Sequence, residues 1–145
     1  YEQGNVVYID KIEGSHPIRA YTEIGGRAPA YCVATGKALL AHQTEDEIER
    51  VLEGLERHSP NTIVAPEAMR LTLAQVRDNR YAINRGEWRE QVSGVGAPVW
   101  NADDFPIAAI GISGPAARFT EEALVLFVPM VRESAEELSR LMGRT

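Results

Sequence analysis

Few side chains in this sequence could make or break a covalent bond. It holds one cysteine, Cys32, and three histidines, His16, His42 and His58. That set fits no zinc-ligand spacing. The histidines fall in turns or on polar helix ends and read as solvated side chains. "GISGP" has proline where a nucleophile elbow, G-x-S-x-G, needs its last glycine. "GGRAPA" lacks the Lys-Ser/Thr ending of a phosphate loop. No cofactor is therefore expected. Cys32 reads as a small apolar filler, and a redox role would need an exposed thiol with a lowered pKa. Non-covalent chemistry is better supplied. "VATGKALL" runs from a loop into a short helix, and Thr35 is read as its N-cap. A helix start exposes N–H groups and partial positive charge, which can receive a carboxylate; Thr35 and water could equally satisfy them.

A second feature lies in "SGVGAPVWNADDFPIAAIGISGP", two strands joined by a tight turn. Side chains alternate across a strand. Val95, Ala97 and Val99 then share a face with Ala108, Ile110 and Ile112, suited to a covering helix. The opposite face carries Gly94, Gly96, Ala109, Gly111 and Ser113, with Trp100 and Ile107 near the turn. If register agrees, Ala82 and Asn84 of the preceding strand join this bare face. Two readings remain open. A helix packs unusually close, using glycine for the approach, or a small molecule fills the space, with Asn84 and Ser113 as its few polar side chains. Pro98 suggests an edge or a bulge.

These groups need a scaffold, and the chain can supply one. Its 145 residues fit one domain, residues 1–145, and 44% hydrophobic with 25% charged residues is ordinary for a globule. A net charge of −6 weighs against this chain gripping a phosphate backbone by itself. One cysteine allows no internal disulfide and suits a cytoplasmic location. No apolar run approaches the roughly 20 residues that span a bilayer, so no membrane partner is expected. Strands are predicted over 5–14 and 18–24. Helices are predicted after Thr35, over 44–55 with a Thr44/Glu47 capping box, and from Pro66, burying Met69, Leu73 and Val76. A short strand "YAINR" precedes the hairpin. Thr120 caps a last helix with a stripe of Leu124, Phe127, Val131, Leu138 and Leu141, which Pro129 should kink or split. Two strands, three helices, three strands and a helix predict an α+β domain built on a mostly antiparallel sheet.

The segments "GRAPAYCVATGKALLA", "SPNTI", "RYAINRGEW" and "GVGAPVWNADDFPIAAIGISGPAARFTEE" resemble the effector-binding domain of IclR-family bacterial transcription regulators, over residues 25–142. The resemblance implies a GAF- or profilin-like antiparallel sheet flanked by helices. It implies a winged helix-turn-helix domain, which nothing in this chain resembles, and contact with DNA only through it. It implies dimers or tetramers, and a small carboxylate effector on one sheet face. The ligand carboxylate would meet the N–H groups of Ala34, Thr35 and Gly36, with further contacts from Asn84, Gly94, Gly111 and Ser113. Family members that bind very small keto acids show Asp, Cys and Ser where this chain has Asn84, Gly94 and Gly111; Ser113 keeps the pattern. The effector is therefore expected to be larger than glyoxylate or pyruvate, an aromatic acid or a longer oxo acid. No catalytic residue and no metal site is implied. A small enzyme acting on an organic acid in the same cavity would need a general base, which Asn84 and Ser113 do not provide. An interaction or redox module using Cys32 is the other alternative.

Overall fold

A computed structural model describes residues 1–15 and 23–145. Strands β1 (Asn5–Val7) and β2 (Arg27–Pro29) form an antiparallel pair. A 3-10 turn over Ala30–Cys32 leads to α1 (Ala34–Leu40), then α2 (Glu45–Glu53) and α3 (Pro66–Asn79). The main sheet follows as β3 (Ala82–Arg85), β4 (Val92–Trp100) and β5 (Pro106–Pro115), antiparallel in that order. Helix α4 (Glu121–Leu141) closes the fold. The element order and the α+β class match the sequence reading.

The layers follow from the alternation. Val95, Ala97 and Val99 form one buried cluster with Leu124, Val131 and Ala135 of α4, joined by Ile83, Ala108 and Ile110. The opposite face takes α1, whose Ala38, Leu39 and Leu40 pack with Ile48, Val51 and Leu52 of α2 and Met69, Leu73 and Val76 of α3. Each buried Leu, Val or Met contributes about 1.5–3 kcal/mol, so the sheet is held between helices on both faces. Pro98 lies beyond the end of β3 and next to a register shift at Val99/Trp100, so its missing N–H faces no third strand. Thr44 caps α2 by accepting from the Glu47 N–H, Thr120 caps α4 through Ala123, and Pro66 opens α3.

Several expectations are corrected. The first strand ends at Val7 instead of residue 14. Of the second, residues 18–22 lie outside the described residues, while Ile24 sits in a turn; β2 is a later segment that reads as loop because Pro29 ends it. Helix α4 runs unbroken through Pro129. Its C-terminal half buries Ala135 and Ser139, leaving Leu138 and Leu141 outside. Small side chains let the helix approach, and the Ser139 hydroxyl accepts from the Trp100 N–H at 2.9 Å and donates to the Ala135 carbonyl at 2.6 Å.

Candidate functional site

The bare face is present, and pairing sorts it into rows. Asn84, Gly94 and Ser113 lie side by side across β3, β4 and β5. Ala82, Gly96 and Gly111 form the next row, and Pro98 opposite Ala109 the one after.

The close-helix reading of this face applies to one of these rows. Helix α1 rests directly on Gly96: a Cβ there would lie 2.6 Å from the Thr35 nitrogen and 2.7 Å from the Ala34 carbonyl carbon. Gly111 receives the Thr35 methyl group, which would lie 2.8 Å from an added Cβ. Gly36 packs against the Ala30 backbone on the helix's other side. This row is filled by the protein itself. In the Asn84–Gly94–Ser113 row, Gly94 is buried as well. The three atoms nearest a Cβ on Gly94 belong to its own sheet, the Ile112 carbonyl oxygen at 2.8 Å and two atoms of Ser113. Gly111 and Ser113 are exposed, while Asn84 is buried. Glycine thus floors the sheet face on which α1 begins, and the exposed residues lie on the edge strand β5.

That start differs from the expected one. Val33, not Thr35, is the N-cap, with extended dihedrals (φ −127°, ψ 152°) and no capping side chain. The first intrahelical bond runs from the Lys37 N–H to the Val33 carbonyl at 2.9 Å. The N–H groups of Ala34, Thr35 and Gly36 precede it and have no intrahelical acceptor. Close packing on Gly96 places the helix start, so the cap is left to a residue that cannot cap. Tyr8, which the sequence reading passed over, reaches this point. Burial holds its hydroxyl above the ordinary tyrosine value, and a hydrogen bond with the Thr35 side chain partly offsets this.

Joined to Asn84 is a polar network that the sequence reading also missed. The side chains of Lys37 and Glu87 are 2% and 6% exposed and meet at 2.5 Å. Lys37 Nζ also donates to the Ile83 carbonyl at 2.6 Å. Glu87 Oε2 accepts from the Arg85 N–H at 2.7 Å, and the Glu87 N–H donates to Asn84 Oδ1 at 2.8 Å. Ser59 Oγ donates to the Gly86 carbonyl and Thr62 Oγ1 to the Glu87 carbonyl, each at 2.6 Å. The "SPNTI" segment thus braces the turn after β3. One signal was available: Lys37 lies among the apolar residues of "GKALLA".

The remaining candidates separate from the site. Cys32 is fully buried, and burial followed by the nearby Glu87 carboxylate pushes its thiol up to about 12. This is the reverse of an activated thiol. A thiol reagent at neutral pH should modify native Cys32 at least about a hundredfold more slowly than the urea-unfolded chain; equal labelling rates would contradict the burial. His42 is not the solvated side chain expected. Its ring meets Trp100 edge-on at 4.6 Å, Nε2 is sealed without a partner, and burial plus Arg77 and Arg80 pull its pKa down to about 4. His58 is exposed and pairs with the Tyr31 hydroxyl at 3.1 Å; His16 lies outside the described residues. Trp88 packs against the α1-side core under Arg89, as a partly exposed loop residue. Among the described residues no group of three His, Cys, Asp or Glu could hold a metal ion, and no helix is long and apolar enough to cross a membrane.

The fold defines a class: an antiparallel sheet between helices, with a glycine-floored face where one helix begins. Comparison with known proteins narrows it. The family described as bacterial transcriptional regulator IclR C-terminal matches residues 1–140. The chain is 38% identical over 144 residues to the HTH-type transcriptional regulator KdgR of Escherichia coli, covering 98% of this chain and 55% of that protein. The crystal structure of Thermotoga maritima IclR superposes with a TM-score of 0.91 at 34% identity, over 99% of this chain and 59% of that one. An IclR homologue from Microbacterium hydrocarbonoxydans, crystallised in complex with 4-hydroxybenzoate, superposes with a TM-score of 0.86 at 26% identity, over 97% of this chain and 57% of that one. The chain belongs to the IclR family of bacterial transcriptional regulators. It spans about half the length of the curated relatives it matches, 55% in the case of KdgR.

Proposed function

We propose that this domain senses a small organic acid at this sheet face and passes its occupancy to operator binding by a winged helix-turn-helix domain of the same regulator, acting in the cytoplasm as a homodimer or tetramer. The observation that carries this reading is the Asn84–Gly94–Ser113 row, bare at its centre and exposed at Ser113, on the sheet face where α1 begins with the N–H groups of Ala34, Thr35 and Gly36 lacking intrahelical acceptors. Those amides would receive the carboxylate. Asn84 and Ser113 would supply polar contacts, Gly94 the room, and Gly111 an exposed stretch of backbone. The Asn84 row lies two residues along β4 from the row on which α1 rests, a rise of about 7 Å. An aromatic acid or longer oxo acid bridges that distance better than pyruvate does. The complex of a relative with 4-hydroxybenzoate supports an aromatic acid in this family.

The proposed role is sensing and not catalysis. The carboxylate of Glu87, whose N–H bonds to Asn84, is tied to Lys37, and the Cys32 thiol is sealed. Ligand binding would favour one arrangement of domains or subunits, with a coupling free energy of about 1–3 kcal/mol.

A thermal-shift screen of metabolite acids followed by calorimetry tests the reading. Tight binding of a two- or three-carbon acid, with no aromatic or longer acid binding, would reject the size argument. Ser113→Leu places bulk on this row from its exposed end. It should abolish acid binding while the thermal midpoint stays within about 2 °C, as for most exposed substitutions. Unchanged affinity would move the site elsewhere. A side chain at Gly94 is a poorer probe, because its Cβ must displace the Ile112 carbonyl oxygen, 2.8 Å away.

A further inference from the structure

A cationic notch lies at the turn end of the main sheet. Strand β3 pairs with β4 only as far as Gly96, so β4 runs on from Ala97 to Trp100 without a neighbour on that side. Pro98 lacks the N–H that a further strand would need there. The notch is lined by Ala97, Pro98 and Trp100 of β4, by Arg132 of α4, by Arg80 and by Arg144. It has about 20 Å³ of room for the centre of a water molecule, above the roughly 10–15 Å³ that one water requires, and with its open mouth it measures about 250 Å³. Arg80 and Arg132 are exposed at its rim, while Ala97 and Pro98 are buried.

Three arginines from three parts of the fold thus surround one small hollow, in a chain whose net charge is −6. Arg144 is fixed in place. Gly143, at φ 90°, turns the chain back after α4, and the Arg144 N–H donates to the Ser139 carbonyl at 3.0 Å. Its guanidinium lies 5.1 Å from the centroid of the Trp100 ring and pairs with Asp104 at 2.8 Å. Arg80 ends α3 in the left-handed conformation, φ 60°, where glycine or asparagine is usual. The guanidinium groups of Arg80 and Arg132 have no hydrogen bond or ion pair among the described residues. Among those residues the lining holds a single carboxylate, Glu136. The excess charge reaches His42, whose ring meets Trp100 edge-on: after burial, it is Arg77 and Arg80 that pull its pKa down to about 4.

We infer that this notch is a second ligand site, built for a phosphate group, free or carried by a small molecule. Like charges around one hollow repel, and an anion between them removes the repulsion. Guanidinium forks match oxyanions in geometry. Three forks offer more donors than the two oxygens of a carboxylate can use, whereas a phosphate presents three terminal oxygens and close to two negative charges. The inference stands apart from the acid site, because Trp100 lies six residues along β4 from Gly94, about 20 Å away.

Calorimetry and the Trp100 indole N–H resonance test it, with inorganic phosphate and methyl phosphate as probes and acetate as the carboxylate. Trp88→Phe removes the one other indole and so assigns the resonance. Phosphate should bind one to a chain and shift that resonance, and acetate at equal concentration should do neither. Arg80→Gln and Arg132→Gln should each weaken phosphate binding about tenfold, the effect of one hydrogen bond to a charged group. Both positions are exposed, so the thermal midpoint should stay within about 2 °C. Arg118→Gln is the charge control. Arg118 is exposed and follows Pro115 at the opposite end of the sheet, and its loss should change affinity by less than about twofold. Methyl phosphate tells the two sources apart: binding as tight as that of phosphate assigns the site to an ester, and failure to bind assigns it to free phosphate. Absence of phosphate binding would overturn the inference, and so would acetate binding as tightly. Equal losses in Arg80→Gln, Arg132→Gln and Arg118→Gln would overturn it too, and would mean an adventitious ion only.

Discussion

Glu87→Ala should cost this domain about 3–5 kcal/mol, the usual penalty for removing one partner of a buried ion pair. The ammonium of Lys37, on a side chain 2% exposed, would be left with the Ile83 carbonyl oxygen as its sole partner. No route to water is open without moving α1 off the sheet. The Arg85 N–H would lose its acceptor at the same time. Salt should change the deficit little, since buried charges are poorly screened. In a domain of this size, the loss corresponds to a fall in midpoint of about 10 °C or more. Urea unfolding with linear extrapolation measures it. The informative comparison is Lys37→Met/Glu87→Leu, which removes both charges and should recover most of the loss. Single and double variants of equal stability would show that the pair does not hold the site. By contrast, the Arg50–Glu47 and Arg85–Glu121 pairs lie on the surface, and breaking them should cost at most about 1 kcal/mol.

What the sequence could and could not reveal follows from the same physics. Strand alternation has a strict period of two, so the row of Asn84, Gly94 and Ser113 was legible once β3 was placed in register. The apolar face against α4 was legible for the same reason, save for Ile112, which stays exposed on the edge strand β5. The start of α1 was not. Capping chemistry points to Thr35, but packing on Gly96 overrides it, and Val33 takes the position in an extended conformation. The C-terminal half of α4 misled in a related way. Leu138 and Leu141 look like core residues, yet close approach selects Ala135 and Ser139, and the larger side chains stay outside. Lys37 and Glu87 were hidden because charged residues are almost never fully buried unless paired, and a pair 50 positions apart leaves no local trace. The close helix and the ligand cavity looked like competing accounts of one bare face. The structure gives the Gly96 row to the close helix, and spacing alone cannot separate rows that share a face.

Gly96→Ala should be the most damaging single-methyl change in the sheet. The added carbon would lie 2.6 Å from the Thr35 nitrogen, 2.7 Å from the Ala34 carbonyl carbon and 2.9 Å from the Thr35 Cα. All three are backbone atoms, so no side chain can swing aside. Either α1 lifts from β4 or the strand bends. Overpacking of this kind costs about 1–3 kcal/mol and sometimes more, and here the upper part of that range is expected because the contact is rigid on both sides. Gly114→Ala is the matched control: its new carbon would meet only the edge of Phe119, at an ordinary 3.7 Å. That change should stay within about 0.5 kcal/mol of wild type. The two variants also separate stability from sensing. Lifting α1 moves the amides of Ala34, Thr35 and Gly36 away from the Asn84 row. In Gly96→Ala, the affinity for an acid such as 4-hydroxybenzoate should therefore fall further than the affinity for its uncharged amide. An equal fall for both would mean that the helix start does not hold the carboxylate. Wild-type stability in Gly96→Ala would mean that α1 does not rest on this row, and the geometry from which the proposed site is built would be lost with it.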